Sequence, residues 1–576
     1  TLFCFAKNGS SNFFCYFKEK QEFEYFITIL WRKDKKGVGK MKLNDAGLKD
    51  RAAWEKAGFE LPTFNREEVR EKTLKDPVWL HFGAGNIFRG FPAAVQQKLL
   101  NDGKSDKGII VCEGYDYEII ERIYKPHDNL SVLVVLKPDG NMEKKVIASV
   151  VESFTADATQ LDNWKSLVNF FTNPSLQMVS FTITEKGYSL TNAKGDFYGD
   201  VADDFNNGTA APKSFIGKLA SLCYERYKSG KHPVALVSMD NCSHNGTKLF
   251  QAVDTFAKEW AKRGIVENGF VEYIENPDKV SFPWSMIDKI TPRPDIGVKE
   301  MLEKSGLEST DIVTTAKNTY IASFVNAEEP QYLVIENLFP NGRPALDYAG
   351  VIFTDRETVD KVEKMKVCTC LNPLHTALAI YGCLLGHKAI YEEMKDEQLK
   401  ALVEKIGYVE GLPVVINPGI VDPKAFIKEV VEVRLPNPFV PDTPQRIATD
   451  TSQKLAIRFG ETIKAYEKRS DLNAADLKYI PLVFAGWLRY LLAVDDEGNS
   501  FTLSSDPLAD HLKQIVGGIS LGDKGPFDKK LESILKDESI FGVNLYDVGL
   551  ADKVLNYFAE LVEGKGAVRA TLKKHL

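Results

Sequence analysis

From Met41 to about residue 355, short apolar runs rich in Val, Ile and Phe alternate with amphipathic stretches, and no other feature of the sequence narrows the fold as much. A strand that is apolar at every position needs cover on both faces, and strands of that kind separated by helices form a parallel sheet flanked by helices. The runs predict strands over 78–82, 108–112, 178–184 and 234–239. After residue 356 the β-type runs thin out. "DPKAFIKEVVEV", "LKYIPLVFAGWLRYLLAV" and "LADKVLNYFAELVEG" carry apolar residues three and four apart, the spacing of helices with a buried face. The expectation is an α/β domain over 41–355 followed by a mostly α-helical domain over 356–576. No internal repeat and no apolar run of transmembrane length is visible.

The first forty residues read differently. They are dense in Phe and Lys, keep no period, and lack the apolar core and small-residue cleavage site of a signal peptide. Codons for Lys36-Gly37-Val38 can spell a purine-rich ribosome-binding site ahead of Met41, so residues 1–40 are expected to be a non-native or disordered extension before a start at Met41. A net charge of -7, with no basic cluster beyond "RKDKK", argues against nucleic-acid binding, which needs a clustered basic surface. Eight cysteines with no CxxC pair fit a reducing compartment, so a cytoplasmic location is expected, with no membrane partner. Oligomeric state leaves no mark in the sequence.

The first strand runs into "VWLHFGAGNIFRGF". Gly83 and Gly85 follow the apolar run and precede a predicted helix, where a tight turn lets backbone N–H groups meet a pyrophosphate. Phe88 holds the place of the third fingerprint glycine, which leaves GxG, and a plain strand-to-helix turn is an equal reading. Asn86 and Phe88, in the helix after the turn, are counted with the two glycines as cofactor-binding candidates, and Arg89 adds a cation for phosphates or a solvated charge. The second strand ends at "IIVCEGYD", where Glu113, with Asp116 as the other candidate, is placed to accept from an adenosine ribose. A carboxylate there repels a 2'-phosphate and favours NAD over NADP.

Three further stretches carry more polarity than turns need. "VALVSMDNCSHNG" puts Asp240, Asn241, His244 and Asn245 at the carboxyl edge of a parallel sheet, where such sheets bind ligands. "FPWSMIDKITP" puts Asp288 in a loop flanked by prolines. "KVCTCLNPLH" offers Lys366, Asn372 and His375. Pro373 suits the first helical position, so Asn372 reads as an N-cap and His375 falls in the first turn. Cys368 and Cys370 lack a second pair and make a poor zinc site, so no metal is expected. Lys366 is either a solvated cation or, in an apolar cleft beside a cofactor, an amine of depressed pKa that exchanges protons near neutral pH.

Taken in order, "HFGAGNIFRGF", "SFTITEKGY", "VSMDNCSHNG", "FPWSMIDKITP", "KVCTCLNPLH" with "TALAIYGCLLG", and "RLPNPFVPDTPQRIATDTSQK" resemble the polyol-specific long-chain dehydrogenases, the mannitol dehydrogenase group. The resemblance runs from about Asp76 to the C-terminal region. It implies a Rossmann-type N-terminal domain, a helical C-terminal domain, NAD as cofactor and a catalytic cleft between the domains without metal. It implies Lys366 as general acid and base, Asn241 and Asn372 as amides that steady the substrate oxygen, and His375 as a substrate-orienting residue. The resemblance further implies Asp288 as an acid lining the same cleft and Arg434 as a substrate contact. The implied substrates are six-carbon ketoses or keto-uronates: fructuronate and mannonate first, then fructose and mannitol, then tagaturonate. For a substrate carboxylate, Arg434 and Arg343 are the candidate cations.

Three positions depart from the family pattern. Five residues rather than four separate Lys366 from Asn372, which predicts a shifted backbone path for the lysine; Pro373 replaces a common glycine; and Trp284 replaces a common asparagine, which predicts a reshaped sugar pocket. Three other readings stand beside this one. Tyr391 and Lys395 form the YxxxK of short-chain dehydrogenases, although far beyond the sheet. A non-catalytic dinucleotide sensor needs the glycine turn but not Lys366, Asn372 and His375, and a methyltransferase with a similar turn binds S-adenosylmethionine.

Overall fold

The computed structural model describes residues 40–576 apart from 193 and 441, together with two short paired strands, Cys4–Phe5 and Phe14–Cys15. The expectation of an extension over 1–40 otherwise falls outside the described residues. A six-stranded parallel sheet is built from β1 (Trp79–Phe82), β2 (Ile109–Glu113), β3 (Val150–Thr155), β4 (Met178–Phe181), β5 (Val234–Ser238) and β6 (Val280–Ser281). Their order across the sheet is β3-β2-β1-β4-β5-β6, and every pairing is parallel. This is the doubly wound order of dinucleotide-binding folds, with the chain reversing direction between β1 and β4.

The sequence explains why both faces are covered. Leu80, Phe82, Ile110, Val179, Phe181 and Leu236 join one core, while Trp79, Ile109, Val111, Met178, Ala235 and Val237 join another. Alternate residues of each strand therefore point to opposite faces, and both sets are apolar. Helices α1 (Asn86–Gly90) and α2 (Pro92–Asn101) cover the second face through Phe88, Val95 and Leu99. Phe215–Lys228 and α3 (Asn245–Lys262) cover the first through Leu219, Leu222, Leu249 and Phe256. Four expected strands are present, three of them shorter and that expected over 108–112 shifted by one residue; β3 and β6 were not expected. Asp288, placed in a loop by its flanking prolines, instead ends the strand Ser285–Asp288, which pairs antiparallel with Tyr332–Glu336. Alternation of Ser285 and Met286 over only four residues was too short a signal to read.

Beyond Asp355 the chain is helical. Helix α4 (Arg356–Met365) passes through a π-helical turn, Lys366–Cys370, into α5 (Asn372–Leu385). The run Arg356–Leu385 is apolar and long enough to cross a membrane, contrary to the sequence expectation, yet 78% of its apolar window is buried inside the protein. It is the core helix of this half. Leu374, Leu378 and Tyr381 pack with Val483 and Trp487 of Tyr479–Tyr490 and with Val554 and Phe558 of Ala551–Leu561. A Cβ on Gly486 would lie 2.6 Å from the Tyr381 ring, so glycine lets these two helices approach closely.

Candidate active site

The glycine turn sits at the carboxyl end of β1, where the strand order reverses. Gly83 has φ +106, and a Cβ there would come within 2.2 Å of the Thr182 carbonyl oxygen, so only glycine makes this turn. The middle residue is held from both sides: Ala84 N donates to Glu113 Oε2 at 2.8 Å, and Tyr124 Oη donates to Ala84 O at 3.0 Å. A Cβ on Gly85 would meet nothing within 4 Å, which leaves open space at the mouth of α1. A narrow turn, free space above it and a helix start directed at that space fit a dinucleotide pyrophosphate.

The other expected cofactor residues divide. Glu113 ends β2 as expected, and its carboxylate also accepts from Tyr115 N and Asp116 N. Burial raises its pKa, and the three backbone N–H groups work against that rise. Asn86 opens α1 and accepts from Arg89 Nη2 at 2.8 Å. Phe88 does not face the cofactor space; it is fully buried and stacks on His81 with centroids 4.0 Å apart. Arg89 also turns inward, donating to Ala322 O at 2.7 Å, and burial lowers its pKa. Asp116 is buried and accepts from Thr315 Oγ1 at 2.6 Å; Glu113, buried too, is the acid that ends β2 itself. These three corrections share one cause: the short helix α1 and the loop after β2 bury one side, and sequence spacing alone did not show which.

A cavity of about 520 Å³ opens beside the turn. Its wall includes Ile87 from α1, Thr184 and Asn241 from the segments after β4 and β5, Asp288, and Lys366, Asn372, His375 and Arg434 from the helical half. All six side chains expected at the substrate therefore share one cavity. Asn241 is carried by the turn after β5, which Asn245 fixes: its Nδ2 donates to Asp240 O at 3.0 Å and Ser285 O at 2.9 Å. Asp240, buried beneath, accepts from Ile183 N, Thr184 N and Tyr188 Oη and so pins the segment after β4. The polarity of the motif was visible in sequence, but the roles within it were not: Asn241 and Asp240 reach the cavity wall, Asp240 also clamps the segment after β4, and Asn245 is a clamp away from the wall.

Lys366 is only 2% exposed. Its Nζ donates to Asn241 Oδ1 and Ile287 O, each at 3.1 Å, and lies 3.4 Å from Asp288 Oδ1. Asp288 in turn accepts from Arg434 Nη1 and Nη2 at 2.5 and 3.0 Å. Burial alone would raise the Asp288 pKa; Lys366 and Arg434 overcome this and bring it down to about 2. Arg434 also meets Glu328, with Nε at 3.1 Å and Nη2 at 2.8 Å. Its guanidinium thus clamps two carboxylates while lining the cavity. Arg343 pairs with Asp347 at 2.7 Å and is not part of the cavity wall.

The π turn solves the six-residue step from Lys366 to Asn372. Leu371 N bonds to Lys366 O at 3.1 Å, an i to i+5 bond that accommodates an extra residue, and Leu371 then breaks the helix at φ -127 and ψ -61. The N-cap of α5 is Leu371, one residue earlier than the sequence suggested, and the Asn372 amide makes no hydrogen bond among the described residues. It is left open to the cavity. His375 follows in the first turn, with Nε2 3.4 Å from Asp442 Oδ2; burial brings its pKa down to about 4, against the pull of Asp442. Asp442, missed in sequence, is itself forked by Arg446 at 2.6 Å twice. Trp284 does not line the cavity: it stacks on His244 at 4.4 Å and donates to Thr247. Tyr391 and Lys395 meet each other as a ring and cation 4.8 Å apart, and neither is in the wall.

Two domain families match the chain in order: the mannitol dehydrogenase Rossmann domain over residues 78–348 and the mannitol dehydrogenase C-terminal domain over 358–562. The chain belongs to the mannitol dehydrogenase family. Within that family, it is 54% identical over 536 residues to the D-mannonate oxidoreductase of Thermotoga maritima, covering 93% of this chain and 99% of that protein. The D-mannonate oxidoreductase of Escherichia coli K12 is 28% identical over 449 residues, 75% of this chain and 84% of the relative. Among solved structures, Pseudomonas fluorescens mannitol 2-dehydrogenase in ternary complex with NAD and D-mannitol aligns with a TM-score of 0.67 and 25% identity, over 93% of this chain and 99% of that one. A substrate-free D-sorbitol dehydrogenase shares the fold with a TM-score of 0.75 at 24% identity, over 90% and 98% of the two chains. The Rossmann-type sheet followed by a helical half is thus the architecture of a mannitol dehydrogenase, and the chain is a dehydrogenase.

Proposed function

We propose that this mannitol dehydrogenase family member is an NAD-dependent oxidoreductase that interconverts a six-carbon keto-sugar or keto-uronate with its polyol or aldonate, D-fructuronate and D-mannonate first. One observation carries the reading: a buried lysine amine, an open asparagine amide and a neutral imidazole meet in a cavity whose wall continues into the helix that follows the glycine turn. The substrate order rests on the Thermotoga maritima relative. The preference for NAD over NADP rests on the Glu113 carboxylate at the end of β2. A cytoplasmic location accords with the free thiols of the described cysteines.

A bound nicotinamide supplies or accepts the hydride at the substrate carbon. The protein handles the oxygen and its proton. As a ketone is reduced, negative charge grows on oxygen, and the amide donors of Asn372 and Asn241 stabilise it. Asn241 Oδ1 is already occupied by Lys366, so its Nδ2 is the end that turns to the substrate. Lys366 gives the oxygen a proton in reduction and takes one from the hydroxyl in oxidation, without a metal. With Nε2–H directed at Asp442, His375 offers Nδ1 as acceptor to a neighbouring hydroxyl.

One observation favours an uncharged ketose instead: Arg434 is spent on Asp288 and Glu328, and Arg446 on Asp442. Purified protein assayed with NADH and with NADPH against D-fructuronate, D-tagaturonate and D-fructose decides among the substrates. Turnover with fructuronate at least tenfold above the others supports the first choice, and turnover with fructose alone replaces it. Lys366→Ala should lower turnover roughly 100-fold or more while NADH binding changes little; unchanged turnover removes Lys366 from the chemistry.

A further inference from the structure

We infer that Glu328 is a positioning residue for proton transfer: it fixes the plane of the Arg434 guanidinium, which fixes Asp288, which holds the Lys366 amine. The inference rests on the role proposed for Lys366. Glu328 ends the strand Phe324–Glu328, is 1% exposed and is not part of the cavity wall, so it has no route to the substrate itself.

The geometry is a closed chain of forks. Arg434 presents its Nη1 and Nη2 edge to both oxygens of Asp288 and its Nε and Nη2 edge to both oxygens of Glu328. Two forked carboxylates on adjoining edges leave a planar guanidinium no freedom to rotate, and a lysine could not substitute for it. Glu328 is anchored in its turn: Oε1 accepts from Ile290 N at 2.7 Å, and Glu328 N donates to Ile290 O at 3.1 Å. Ile290 lies two residues after Asp288, so the same contacts that hold Glu328 hold the strand end bearing Asp288. Lys366 and Arg434 come from two π turns of the helical half, Lys366–Cys370 and Val430–Arg434, whereas Asp288 and Glu328 come from strands. The four charges cancel, so the buried row is neutral only while Glu328 is ionised. Other charged groups face it: Lys289 donates to Glu328 O at 2.6 Å, and Glu429, held by Tyr332 Oη at 2.9 Å, lies near Arg434.

The test compares Glu328→Gln, Glu328→Asp, Arg434→Lys and Lys366→Ala with the unaltered protein, using D-mannonate with NAD across pH, NADH binding by fluorescence, and thermal unfolding. Glutamine keeps the shape and removes the charge. We expect kcat to fall about tenfold or more with little change in KM or NADH affinity. Removing one negative charge from the row disfavours an ammonium, so the rising limb of kcat against pH should move to lower pH by about one unit. Aspartate, which keeps the charge, should leave that limb in place while lowering kcat. Should the glutamine variant not fold, Arg434→Lys, which cannot fork two carboxylates, carries the same expectation of a kcat loss without a KM change. An unshifted limb and unaltered kcat in Glu328→Gln, with Lys366→Ala inactive, overturns the inference and leaves the role of Lys366 standing. Equal losses and unshifted limbs in both Glu328 variants would make the residue merely structural, which also overturns it. An active Lys366→Ala removes the role of Lys366 and the inference with it.

Discussion

Replacing Asp288 by asparagine removes the centre of the buried charge row at almost constant shape. The Asp288 pKa stands at about 2 against an ordinary 3.8. Each tenfold change in acidity is worth about 1.4 kcal/mol, so Lys366 and Arg434 together favour the charged carboxylate by roughly 2–3 kcal/mol after the burial cost is met. Removing one partner of a buried pair typically costs about 3–5 kcal/mol, because the other charge stays desolvated. In Asp288→Asn, Arg434 keeps Glu328 but Lys366 loses its carboxylate neighbour, which places the expected loss of stability near 3 kcal/mol. Urea unfolding at pH 7, followed by tryptophan fluorescence, measures it. The folded pKa lies below the unfolded one, so this contribution is fully present above about pH 4 and is lost as pH falls toward 2. The variant should therefore lose less stability than the unaltered protein over that window. Turnover should also fall at least tenfold, since the amine is no longer held on that side. A variant with the same midpoint at pH 7, the same acid dependence and the same turnover would refute the pairing argument.

Two further outcomes follow from single contacts. Gly83→Ala forces a Cβ to within 2.2 Å of the Thr182 carbonyl at φ +106, and should weaken NADH binding more than tenfold in a fluorescence titration; an affinity within threefold of the unaltered protein would show that the turn does not cradle the dinucleotide. Both carboxyl oxygens of Glu393 are buried and have no partner among the described residues, and burial raises its pKa well above 4.5. Such a group costs stability increasingly as pH rises past its unfolded value, so Glu393→Met should raise the unfolding free energy measured in urea at pH 8 by about 1–2 kcal/mol, with the gain shrinking toward pH 5; a lowered unfolding free energy at pH 8 contradicts this.

What could be read in the sequence was local and periodic. Four largely apolar strands announced a sheet covered on both faces, and Lys366, Asn372 and His375 announced a site because three polar side chains crowd ten residues. What could not be read depends on partners far apart in the chain. Glu328 stands in "FVNAEEP", an ordinary polar strand end, and nothing local marks it as the partner of Arg434 more than a hundred residues away. Arg434 looked like a free cation for the same reason. Phe88 and Arg89 were misjudged because α1 spans only Asn86–Gly90, too short for its periodicity to reveal which face is buried.

The wide turn at Lys366–Cys370 has a consequence for how this family changes over time. A helix that loops out one residue within its own pitch absorbs an insertion without displacing either flank, so the amine before it and the amide after it keep their places in the cavity. Indels are usually confined to surface loops; a turn of this kind offers room for one inside a buried helix, within ten residues of the reacting atoms. Gene lineages that differ by a codon at this point need not differ in chemistry.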